Sequence, residues 1–252
     1  MNNWEKNQNI LDKLLVTGIE LPQDLYGWLK NNWELDKEKI QSLSMYHDTL
    51  PTDIFDWLKN KSFEARENSC HANMSLVGHI RQEYFIKSVK DDIEDLKVDN
   101  DPMYLIFQNW LSNRCFEKPV SMFDESNFIL NDNRPMVISS LWVNFQKKYE
   151  FNPPHIHGGV YSFIIFVNIP YELEDELRQF KTKTNATSKL HFTTPCPLHW
   201  NRCGIVRTDI NVDKSFEGKI IIFPAHLQHG VFPFYTSDDY RITISGNVVF
   251  KV

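Results

Sequence analysis

Three histidines and an arginine form the pattern in this chain with the clearest chemical potential. His155 and His157 flank Ile156 in NPPHIHGG, just ahead of a strongly apolar segment. Residues i and i+2 of a β-strand point to one face, so both imidazoles can converge on one ion. His229 lies far downstream in KIIIFPAHLQHGVFPF, and Arg241 follows twelve residues later in YRITISGN. Two ligands on one strand plus a distant third make a facial set that leaves positions open on a metal. An arginine inside an apolar barrel requires an anion, and a carboxylate is its best bidentate partner. Thr243 shares a strand face with Arg241, so its hydroxyl can join the same carboxylate. Singly these residues have structural readings too, as turn caps or satisfied core groups. Their order and spacing together favour a site.

Other residues carry weaker signals. Asn144 lies on a strand expected beside the metal strand, where its amide could bind a cosubstrate or be satisfied by a turn. Tyr161 lines the pocket or belongs to the core. His191, Cys196, His199 and Cys203 have a C-x-x-H-x-x-x-C spacing compatible with zinc, although the same segment also reads as a mobile, substrate-facing loop. His226, three residues before His229, reads as a neighbour only.

The elements that must hold these side chains change character near residue 130. Before it, apolar residues recur at helical spacing: Ile10, Leu11, Leu14 and Leu15, then Leu25, Trp28, Leu29 and Trp33. Thr52 and Asp53 mark a helix start, Ile86, Val89, Ile93 and Leu96 continue the helical pattern, and Pro102 opens a helix through Trp110. Asp91, Asp92, Glu94 and Asp95 read as a solvated helix face. After Pro135, segments 136–145, 160–169, 219–223 and 240–250 are rich in β-branched and aromatic residues, with turn material at 152–155, 217–219 and 237–239. Residues 172–189 are polar and read as an excursion between strands. The expectation is a mainly β fold with α-helices. A helical layer over 1–130 would precede a jelly-roll barrel over 131–252.

Composition narrows the function. The formal charge of −6, from 27 Lys+Arg against 33 Asp+Glu, argues against a general grip on nucleic-acid phosphates. The start, MNNWEKNQNI, has no basic n-region or apolar h-region, and the apolar runs are too short to span a bilayer. Four cysteines in 252 residues suggest reduced thiols in a cytoplasmic setting, with no membrane partner.

The chain resembles the iron(II)- and 2-oxoglutarate-dependent oxygenases, and within them a group frequent in tailed-phage and marine bacterial genomes. The resemblance rests on Trp142 and Asn144, His155 and His157, Ser162 and Pro170, Phe223 and Pro224 followed by His229, Val231 and Pro233, and Arg241, Ser245 and Asn247. It covers roughly residues 136–250. It implies a double-stranded β-helix of cupin-like jelly-roll type, with His155 and His229 binding Fe(II) and Arg241 holding the distal carboxylate of 2-oxoglutarate. With O2, the cosubstrate would become succinate and carbon dioxide while a substrate C–H bond is oxidised. A phage-encoded member would work in the host cytoplasm.

One ligand departs from the family pattern, since His157 stands where the superfamily has Asp or Glu. Proton competition would then weaken metal binding as pH falls toward ~6.5. Three registers stay open: H-x-H with His157 as ligand, H-x-G through Gly159 as in related halogenases, and a three-histidine cupin-type dioxygenase that ignores 2-oxoglutarate. A jelly roll without enzymatic activity, in a virion or adhesion component, is the reading from another class. Hydroxylation of a protein side chain, a peptide or a small metabolite is the default reaction.

Overall fold

Branched and aromatic side chains pack well on a pleated surface, and the segments rich in them fold as strands. The computed structural model describes residues 45–90, 92–117, 135–196 and 204–251. Ser44–Val252 forms one compact unit. The helical stripes expected at 10–15 and 25–33 lie outside the described residues. The first described elements are β1 (Tyr46–Thr49), α1 (Thr52–Glu67), β2 (Glu83–Lys87) and α2 (Pro102–Glu117). Then come β3 (Met136–Gln146), β4 (Asn152–His155), β5 (Tyr161–Asn168) and α3 (Leu173–Arg178). The last are β6 (Leu190–Cys196), β7 (Gly204–Ile210), β8 (Lys219–Pro224), β9 (Gln228–Val231) and β10 (Arg241–Phe250).

The strands form a six-stranded sheet, β1-β8-β5-β10-β3-β2, and a four-stranded sheet, β4-β9-β6-β7. Every pairing is antiparallel. Four strands of each sheet make a double-stranded β-helix, and β1 and β2 extend the larger sheet at its two edges. Period two sorts the side chains of the larger sheet. Val143, Phe145, Phe163, Ile165 and Ile244 join a core with Ile54 and Leu58 of α1 and Phe107 and Leu111 of α2. Trp142, Asn144, Ile164, Phe166, Arg241 and Thr243 line a pocket instead.

Three local outcomes differ from the sequence reading. Residues 152–155, read as a turn, form β4, an edge strand paired with β9 alone. Pro153 and Pro154 lack N–H groups, which an edge strand tolerates because one side makes no ladder. Ile86 belongs to β2, not to a helix. Asp95, from the acidic run beyond it, caps a loop by accepting from the N–H groups of Ser88 and Lys97. Part of segment 191–203 is hairpin, since β6 pairs with β7 from Leu190 to Cys196.

Polar residues inside the sheet are satisfied across strands. Ser162 Oγ donates to Asn247 Oδ1 at 2.8 Å, and Asn247 Nδ2 donates to Ser140 Oγ at 3.2 Å, linking β5, β10 and β3. Next to this ladder, Gly246 leaves room for an aromatic ring: a Cβ there would lie 2.5 Å from Phe163 Cζ and 2.7 Å from Ser140 O. Overpacking of this kind costs about 1–3 kcal/mol. Gly246→Ala should therefore lower stability by about that amount in urea melts, and an unchanged midpoint would show that Phe163 can shift freely.

Candidate active site

β4 and β9 place the histidines. His155 is the last residue of β4 and lies opposite His229 of β9. His157 stands just beyond the strand, where its backbone N–H donates to Ala225 O at 2.8 Å. The pair therefore straddles a strand end and does not share a strand face. The imidazoles still converge, because the ligand atoms of all three lie within 4.8 Å of one another. His155 Nδ1 donates to Pro153 O at 2.7 Å, and His229 Nδ1 donates to Leu227 O at 2.9 Å. These backbone carbonyls turn both Nε2 lone pairs toward the centre, as ligand histidines require.

The donor set fits a metal ion. His155 Nε2 and His157 Nε2 are 3.2 Å apart. With the His155 proton committed to Pro153, only a proton on His157 or a cation between the nitrogens relieves the facing lone pairs. Burial holds all three imidazoles neutral. It pushes His157 down to about 4, aided by His155, and His229 down to about 3, again aided by His155, and it lowers His155 despite the Pro153 carbonyl. The loss of metal affinity expected toward ~6.5 for ordinary histidines is thus displaced to lower pH.

Arg241 and Thr243 line the same pocket as the histidines, with Ile164, Phe166, Leu190 and Val231 as apolar wall. Arg241 is only 2% exposed. Its Nε and Nη2 donate to Gln146 Oε1 at 3.1 and 2.8 Å. Nη1 donates to Tyr171 Oη and Ser188 O, and Nη2 to Phe232 O. All these acceptors are neutral, so no carboxylate among the described residues balances the guanidinium. Asn144 Nδ2 donates to Thr243 Oγ1 at 3.3 Å, while Asn144 Oδ1 is buried without a partner among the described residues.

His155, His157, His229, Asn144, Arg241 and Thr243 are thus brought together, and Trp142 packs its ring 5.5 Å from that of His157. Tyr161 is not among them. It falls on the opposite face of β5, in the core with Phe163 and Ile165. His226 is exposed and outside the cluster. His191 is buried, and its ring packs 4.7 Å from that of Phe232. It stands opposite Gly230, next in the chain to His229, and so on the outer face of the smaller sheet. The Cys196 side chain, His199 and Cys203 lie outside the described residues. Sequence reading missed Gln146, Tyr171 and Ser188, whose roles arise from contacts distant in the chain. The period-two spacing from Trp142 through Asn144 was the one available signal for Gln146.

Residues 140–247 match the model of a family described as "Putative 2OG-Fe(II) oxygenase". No curated protein matches the chain. Among solved structures, an oxidoreductase of the 2OG-Fe(II) oxygenase family from Burkholderia pseudomallei is similar, with a TM-score of 0.50 and 9% identity over 84% of this chain and 87% of that one. A Pseudomonas putida prolyl-4-hydroxylase matches with a TM-score of 0.47 and 12% identity over 85% and 97% of the two chains. HygX from Streptomyces hygroscopicus, solved with nickel and 2-oxoglutarate, matches at 0.47 and 9% over 92% and 88%. At such identities the first of these supports the fold alone. The family match and the three-histidine group support a 2OG-Fe(II) oxygenase, with Fe(II) as cofactor and 2-oxoglutarate as cosubstrate.

A buried carboxyl adjoins this site. Glu83 of β2 lies opposite Asn144, is 1% exposed, and accepts only from Asn73 Nδ2, at 3.3 Å, leaving Oε1 unpartnered among the described residues. Burial, aided by Glu150, raises it to about 7. The folded state therefore binds a proton that the unfolded state releases from about pH 4.5 upward. Its contribution is complete below pH 4.5 and is lost as pH rises to about 7, roughly 3 kcal/mol in all. Glu83→Gln should match the wild type in urea melts at pH 4 and exceed it by up to about 3 kcal/mol at pH 8. A difference that does not vary with pH would refute the assignment.

Proposed function

We propose that this chain is an Fe(II)- and 2-oxoglutarate-dependent dioxygenase that hydroxylates a protein side chain, a peptide or a small metabolite. One observation carries the reading: three neutral imidazoles converge in a pocket that also holds a buried arginine without a carboxylate partner. In this reading His155, His157 and His229 hold the iron and leave its other positions to ligands and O2. When bound, the iron supplies the oxidative chemistry that couples decarboxylation of the keto acid to attack on a C–H bond. The reaction balances as substrate, 2-oxoglutarate and O2 giving hydroxylated substrate, succinate and carbon dioxide. One oxygen atom enters each of the first two products.

The protein's residues bind and orient. Arg241 attracts the distal carboxylate and Thr243 offers it a hydroxyl. Asn144 presents an unpartnered amide oxygen at the same wall. Ile164, Phe166, Leu190 and Val231 keep water from the reacting end. The Pro153 and Leu227 carbonyls hold His155 and His229 in the tautomer with Nε2 unprotonated. His157 in place of a carboxylate leaves the ligand set without negative charge, which favours an anionic cosubstrate.

The presence of Arg241 in the histidine pocket favours this reading over a three-histidine dioxygenase that ignores 2-oxoglutarate. The converging histidines favour it over a structural jelly roll. His155 opposite His229 favours the H-x-H register over H-x-G. The narrower likeness to a phage and marine bacterial group rests on motif residues alone. None of the described helices is long and apolar enough to cross a membrane. A cytoplasmic setting is proposed from the sparse cysteines, of which Cys70 and Cys115 are free thiols.

Anaerobic titration of the apoprotein with Fe(II) and then 2-oxoglutarate should develop the metal-to-keto-acid charge-transfer absorption. His229→Ala should abolish the band by losing iron, and Arg241→Lys should weaken 2-oxoglutarate binding about 10- to 100-fold with iron retained. Iron binding without any band would favour the three-histidine dioxygenase. Absence of iron binding would leave the structural jelly roll.

A further inference from the structure

The surroundings of Arg241 define a competition for its guanidinium. Its five hydrogen bonds, two to Gln146 Oε1 and one each to Tyr171 Oη, Ser188 O and Phe232 O, use its full set of N–H donors. An incoming carboxylate must therefore displace an acceptor already in place. Two of the four acceptor groups are backbone carbonyls, and one is fixed at a cost: Ser188 is fully buried with φ of 60°, a left-handed conformation that non-glycine residues rarely hold. Ser188 N–H also donates to Pro233 O at 2.9 Å, which anchors that turn. Tyr171 is buried against Phe234, with ring centroids 5.3 Å apart.

Gln146 differs from the others. It stands opposite Arg241 in the β3–β10 register at the last position of its strand. Its single oxygen covers the Nε–Nη2 edge, one of the two edges by which a guanidinium takes a carboxylate through two parallel N–H groups. Its side chain has three rotatable torsions and one other tether, Nε2 donating to Glu150 O at 2.5 Å. It also lines the pocket beside Asn144 and Thr243.

We infer that Gln146 is a specificity-determining placeholder: its amide oxygen occupies the carboxylate-binding edge of Arg241 and yields it to the distal carboxylate of a keto diacid. This inference rests on the proposed cosubstrate reading and deepens it. A neutral amide satisfies the buried N–H groups of the empty site without neutralising the charge that selects a diacid. A carboxylate at position 146 would cancel that charge permanently, whereas a methyl group would leave the edge open.

The test titrates the full-length Fe(II) protein anaerobically with 2-oxoglutarate and with 2-oxobutyrate, a keto acid lacking the second carboxylate, following absorption and calorimetric heat. Gln146→Glu should weaken 2-oxoglutarate about 10- to 100-fold while leaving 2-oxobutyrate and Fe(II) affinities unchanged. Gln146→Ala should bind 2-oxoglutarate at least as tightly as the wild type, because no acceptor need be displaced. A purely structural role for Gln146 would move both keto acids together. If Gln146→Glu retains the wild-type preference for the diacid, or Gln146→Ala loses it, the placeholder is refuted and the cosubstrate reading stands. If the wild-type protein binds iron but neither keto acid, the cosubstrate reading itself fails and takes the placeholder with it.

Discussion

The register of β10 is the constraint on which the pocket depends. This strand is hydrogen-bonded on both sides, to β3 and to β5, and its side chains alternate between two very different environments. Arg241, Thr243 and Ser245 line the pocket, whereas Ile242 and Ile244 lie in the core shared with α1 and α2. A slip of one residue would exchange the two sets. It would drive a guanidinium into the apolar core, where an unpaired charge costs several kcal/mol or more. The same register sets Gln146 opposite Arg241 and Asn144 opposite Thr243, so one strand alignment fixes four side chains at once.

The site was more legible in the sequence than the elements that frame it. His155, His157, His229 and Arg241 stood out because ionisable residues beside apolar strands are few and their spacing constrains geometry. Tyr161 stayed open between pocket and core because both faces of β5 are buried and apolar, and a segment without polar alternation does not reveal which residues face inward. β4 was hidden by its prolines, which read as a turn unless the strand lies at an edge. β2 was hidden by apolar residues whose spacing also fits a helix. Gln146, Ser188 and Glu83 could not be found from local pattern, since each matters through a partner that only the tertiary fold brings near.

Electrostatics give the pocket a single sign. Arg241 is the only formally charged residue among the described residues that line it, and the three histidines are held neutral by burial. Glu83, a buried carboxyl opposite Asn144 on the β2 side, is pushed up to about 7 by burial, which weakens any countercharge it offers. Enclosed charges of this kind are weakly screened by salt. In the proposed reading the pocket therefore attracts anions before any metal enters, and a divalent ion would deepen that character.

The position of β10 in the sheet also constrains how the protein is made. It is the last of the ten described strands in chain order, yet it lies between β5 and β3, which do not pair with each other. Until its residues emerge from the ribosome, both neighbours present long apolar edges with open hydrogen-bonding groups, the kind of surface that invites wrong partners. The larger sheet can close only once residue 250 has been synthesised, so shielding of β3 and β5 in nascent chains becomes part of the biology of this fold.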